Sequence, residues 1–84
     1  MITPLLEYDE CVDAAYLTFS EAEWTRQERL DDARAVNYAD DGSVIGVELL
    51  SPRRKGVLLD RLPYSEEIAR VMRSVGFRIL ETAR

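Results

Sequence analysis

Three carboxylates, Asp9, Asp13 and Glu48, are the residues of this sequence with the types and spacing that could do chemistry. Asp9 and Asp13 could offer oxygen ligands to a hard cation. With Glu48 they could also form a carboxylate site for proton transfer or a small ligand. A calcium loop needs more ligands at closer alternating spacing, however, so the plainer expectation is that both aspartates shape a turn through local backbone bonds. Cys11, the only cysteine, lies among Asp9, Glu10 and Asp13 and lacks the basic neighbours that a reactive thiol needs, so it reads as an incidental turn residue. The chain has no histidine and one lysine, Lys55. Serine–histidine and cysteine–histidine catalysis and the usual zinc sites are thereby excluded. The expectation is a non-enzyme with no catalytic residue, metal or cofactor.

Charge narrows the partners. Residues 1–48 hold twelve acids against three bases, a balance of −9, whereas residues 49–84 carry +4, for a net −5 over 84 residues. An acidic first half suits a basic partner and repels nucleic acid. The cluster Arg53-Arg54-Lys55, with Arg61, Arg70 and Arg73 after it, could meet phosphates, but no aromatic interleaving or helix-turn-helix pattern goes with it. A solvated loop that contacts an acidic protein surface is the preferred reading. Trp24 is the aromatic residue expected at a contact, because it opens a polar strand. No apolar run is long enough to span a membrane, and Met1-Ile2-Thr3-Pro4 lacks the basic head of a signal peptide. A free cysteine then makes the cytoplasm the expected location.

These residues must be positioned by short strands and one helix. Pro4–Tyr8 is a candidate strand, and Ala14–Ser20 alternates with Ala15, Leu17 and Phe19 on one side. Trp24–Leu30 reads as a polar edge strand, and Arg34–Ala39 resumes the alternation with Val36 and Tyr38. Asp41-Gly42 marks a tight hairpin before Val44–Leu50, the expected central strand, in which Gly46 leaves room for a bulky neighbour. Residues 51–63 form a connection, within which Val57–Leu59 is either a short strand or an extended link. A helix over 64–76 follows from Ile68, Val71, Met72 and Val75 on one stripe, with Ser65 as N-cap and Gly76 as the stop. Residues 77–84 are a tail or short strand. The chain is thus expected to be one α+β domain over 1–84: a small antiparallel meander of about five strands (1–50) with one C-terminal amphipathic helix on one face. One helix covers one face only, which leaves Tyr16, Val44 and Leu50 on the other and makes a homodimer or another protein the expected cover.

Two stretches resemble a bacterial family, domain of unknown function 2283. They are Tyr8-Asp9 followed by Asp13-Ala14-Ala15-Tyr16-Leu17, and Asp41-Gly42-Ser43-Val44-Ile45-Gly46-Val47-Glu48-Leu49-Leu50. Cys11 departs from the pattern, standing where an acid is common, and the segment after Pro52 is particular to this chain. The resemblance implies a small antiparallel sheet with a helix. It also implies an antitoxin-like role beside a small toxin, in line with a protein–protein interaction module.

Overall fold

The structure, a computed structural model, describes residues 2–80. Strands β1 (Leu5–Asp9), β2 (Ala14–Thr18), β3 (Arg26–Asp31), β4 (Arg34–Tyr38) and β5 (Val44–Leu50) form one antiparallel sheet in the order β1-β2-β5-β4-β3. β5 is central and the polar β3 lies at an edge, as the alternation predicts. The order departs from a simple meander, because β2 pairs with β5 and not with β3. Side-chain matching explains this: Ala15 and Leu17 face Leu49 and Val47 across the ladder, and Val47 faces Val36 on its other side. The most apolar strand takes the centre, and the charged one is left at the edge, where all of its residues but Leu30 are exposed to water.

The second layer is built from the rest of the chain. It comprises a short helix α1 (Pro52–Lys55), β6 (Val57–Leu58), α2 (Ser65–Ser74) and β7 (Ile79–Leu80), with β6 and β7 paired in parallel across α2. Pro52 to Lys55, read from sequence as a loop, is helical because proline's fixed φ suits a first helical turn. Val57 and Leu58 are a strand, and their partners Ile79 and Leu80 join them and not the large sheet. Residues 81–84 of the expected tail lie outside the described residues.

Helix α2 corrects two expectations. Ser65 is its first helical residue and not its N-cap; the cap is Tyr64, with φ 53°, whose carbonyl accepts the Ile68 N–H at 3.0 Å. Stacking of the Tyr64 ring on Phe19, 4.8 Å between centroids, accompanies this left-handed turn. Val75 is exposed, and the buried stripe is Ile68, Ala69 and Met72. The chain leaves the helix through Gly76 at φ 94°, a conformation that suits glycine.

Between the layers lies one apolar cluster: Ala15, Leu17, Val36, Val47 and Leu49 from the sheet meet Val57, Leu62, Ile68, Met72 and Phe77. Each of its larger fully buried side chains contributes roughly 1.5–3 kcal/mol gross. Val44, expected on the opposite face, packs against this cluster. Arg34 is also buried here. Its guanidinium bonds Asp31 twice, at 2.8 and 3.0 Å, and donates to the carbonyls of Leu58, at 3.0 Å, and Asp60, which pins the second layer to β4. No helix among the described residues is long and apolar enough to cross a membrane.

Candidate functional site

The sheet face turned away from α2 is organised in cross-strand rows. The pairing sets Glu7, Tyr16, Glu48, Ala35 and Arg29 in one row across β1, β2, β5, β4 and β3. Leu5, Thr18, Gly46, Asn37 and Gln27 form the next. The small residues in each row decide what the large ones can do. Tyr16 lies over Gly46, where an added Cβ would come within 2.2 Å of its hydroxyl oxygen. From there the hydroxyl accepts a hydrogen bond from Asn37 Nδ2 at 2.8 Å, and Asn37 Oδ1 accepts one from Gln27 Nε2 at 2.9 Å. Arg29 reaches across Ala35 to Glu48, 3.3 Å away.

The three carboxylates do not share one place. Asp9 and Glu48 border a shallow depression of about 290 Å³, together with Glu7 and Tyr16. Asp9 Oδ1 also accepts the Cys11 N–H at 2.9 Å, the local turn bond expected of an aspartate here. Asp13 has a different task. In a left-handed turn at φ 54°, it presents Oδ1 to the Tyr8 hydroxyl, 2.8 Å, and to the Arg53 N–H, 3.0 Å, and Oδ2 to the Arg54 N–H, 3.1 Å. It therefore satisfies the free N–H groups that begin α1, forty positions along the chain. Partial burial opposes its ionisation. The Tyr8 hydroxyl, the two N–H groups and the Arg54 charge outweigh that and hold the carboxyl below its ordinary value. Burial, and then the same bond to Asp13, push the Tyr8 hydroxyl up.

The remaining candidates are scattered. Trp24 is exposed, just before β3, at the end of the sheet away from Asp9. Cys11 is exposed and free. The basic cluster divides: the Arg53 guanidinium lies 4.4 Å from the centre of the Phe77 ring, Arg54 bonds the Ser51 hydroxyl at 3.1 Å, and Lys55 borders a separate cleft beside Leu58 and Leu80. Arg61 donates to the Leu30 carbonyl at 3.4 Å, while Arg70 and Arg73 line a groove on α2. Among the described residues, no group of three or more potential ligands could hold a metal ion.

The family described as Protein of unknown function (DUF2283) has a model that matches residues 6–51, over half of the chain. The chain belongs to that family. No curated protein and no solved structure gave a match. The DUF2283 segment spans the large sheet and stops where α1 begins. It contains Asp13 and Tyr8, Tyr16 and Gly46, and Asp41, whose carboxylate accepts both the backbone N–H and the hydroxyl of Ser43 at the Gly42 turn. The motif residues by which the family resemblance is read are thus engaged in turns, a helix cap and a ring-over-glycine contact.

Sequence reasoning missed Arg29, Asn37 and Gln27. The available signal was the small residues Ala35 and Gly46, each standing between long polar ones on the two flanking strands, which becomes readable only once the strand order is known.

Proposed function

We propose that the chain is a non-enzymatic protein-binding module that takes a small basic protein on the acidic side of its open sheet face, as an antitoxin takes its toxin, in the cytoplasm. The observation that carries this reading is the charge of that side. Glu7, Asp9 and Glu48 border one depression, β1 and β2 hold no base, and the one base on this face among the described residues, Arg29, sits toward the far edge against Glu48. Further support comes from the polar groups of the face: Tyr16, Asn37 and Gln27 bond one another and need no ligand to complete them. Electrostatic complementarity of this kind sets association rate and specificity.

The test is capture of partners by tagged protein at low and at high salt, beside the triple variant Glu7→Gln, Asp9→Asn, Glu48→Gln. A small basic protein retained in near-equal amount at low salt, and lost with the variant, supports the reading. Retention that ignores salt and the three carboxylates removes it. Sedimentation of the purified chain separates the second candidate partner, another copy of itself.

A further inference from the structure

We propose that β1 is the edge at which the partner adds a strand to the sheet, and that the added strand alternates apolar and basic residues; the partner's charge rests on the reading above. The carrying observation is a contrast between the two edges. At β3 the pairing register slips between Arg29 and Asp31, Arg29 Nη1 donates to the Asp31 carbonyl at 3.1 Å, and Arg61 reaches the Leu30 carbonyl. Arg26, Glu28, Arg29 and Asp31 put both signs of charge along it. A bulge, occupied carbonyls and mixed charge are the devices that keep a sheet edge from pairing.

β1 has no bulge and, among the described residues, no side chain on its carbonyls, and its charges, Glu7 and Asp9, are of one sign. Its five pairs with β2 run without a slip, and among the described residues its backbone makes no hydrogen bond beyond that ladder. A row of outward N–H and C=O groups is therefore available, which is the requirement for strand addition. The side chains say what would fit. Leu6 and Tyr8 pack partly buried against the core cluster, so apolar residues on a neighbouring strand would continue that cluster outward. Leu5, Glu7 and Asp9 are exposed on the open face, with Leu5 at 64 %. Basic residues on the neighbour's other side would meet Glu7 and Asp9. A second copy is a poor occupant, because twofold pairing of β1 centred on Glu7 sets Glu7 against Glu7, and like charges directly opposite destabilise a ladder.

The experiment uses the full chain and two synthetic peptides with blocked ends. One alternates valine and lysine over about ten residues, the length of a long strand. The other is identical but methylated on every second backbone nitrogen, so it keeps its charge and loses one hydrogen-bonding edge. Residue-resolved amide exchange should slow at the outward amides of residues 5–9 by about tenfold or more with the first peptide, with residues 26–31 unchanged and no slowing with the second. Equal effects of both peptides would overturn strand addition while leaving the acidic-face reading intact. Protection at 26–31, or none at all, would also overturn it, and the capture experiment would then decide the functional reading alone. Protection of 5–9 that grows with protein concentration without peptide would make a second copy the occupant, against the proposal.

Discussion

The two faces of the large sheet are held by different physics. On the covered face Leu17, Val36 and Val47 are fully buried against Ile68 and Met72, and stability there follows the apolar area removed from water. On the open face Tyr16, Asn37 and Gln27 are joined by hydrogen bonds and Arg29 by an ion pair, with Gly46 and Ala35 as the gaps that let them reach. Area tolerates a change of shape better than a directed bond does, but each methylene lost from it costs more. A sheet built this way keeps one face polar enough to stand in water, yet ordered enough to offer a fixed surface.

The largest effect should come from the covered face. Leu17→Ala leaves a cavity at the middle of the cluster and should cost about 3–4 kcal/mol in urea unfolding. Arg34→Met tests the buried charged clamp on that side. It removes the donors that hold the Leu58 and Asp60 carbonyls and leaves Asp31 without its partner, for a loss of about 3 kcal/mol. If Arg34→Met cost nothing, the second layer would be held without this clamp, by the apolar cluster and the Asp13 bonds to α1.

Gly46→Ala is the corresponding break on the open face. The new Cβ would displace the Tyr16 ring and with it the Asn37 bond, at roughly 1–3 kcal/mol. Tyr16→Phe should lose only the hydrogen bond, about 1 kcal/mol. Equal losses from the two would show that the ring needs only its bond and not the space above the glycine.

These contacts differ in how far they can be read in advance. The strands of the large sheet and the main helix follow from local period, so their positions are legible in the sequence to within a residue or two. Gly46 as a gap was also legible, because a glycine inside an alternating strand invites a neighbour. What that neighbour would be was not. Tyr16 comes from a strand thirty positions earlier and bonds Asn37 of a third strand, and strand order is not written in any one segment. Asp13 shows the same limit. Its local spacing announced a turn, whereas its carboxylate caps a helix that the Ser51-Pro52 sequence hid. Arg34 sits in an alternating run like any edge cation, and only the packing of the second layer buries it.

Acid should weaken both layers' attachments. The Arg34 guanidinium, and then the Ala33 N–H, hold the Asp31 carboxyl below its ordinary 3.8 against the opposing effect of burial. The bonds already described do the same for Asp13. A carboxyl whose folded value lies below its unfolded one favours the folded chain fully above the unfolded value. That advantage is lost as pH falls through the lower folded value. Stability should therefore hold above about pH 4 and decline below it. Asp31→Asn should flatten the decline. An unchanged acid profile in Asp31→Asn would mean that Asp13 and Asp41, the latter held low by Ser43, carry it instead.

The smallest effect should be Arg29→Ala, and its smallness is informative. The pair with Glu48 is half-exposed at 3.3 Å, so stability should fall by only about 0.2–1 kcal/mol, and by less in salt. The electrostatics of the face change much more. Without Arg29, Glu48 joins Glu7 and Asp9 as an unneutralised acid on one surface. A basic partner should then bind faster and more tightly at low salt, while the fold barely responds. A variant that weakened the fold and the binding together would place Arg29 in the frame of the sheet. A variant that strengthened binding with the fold intact would separate the surface that recognises from the one that holds.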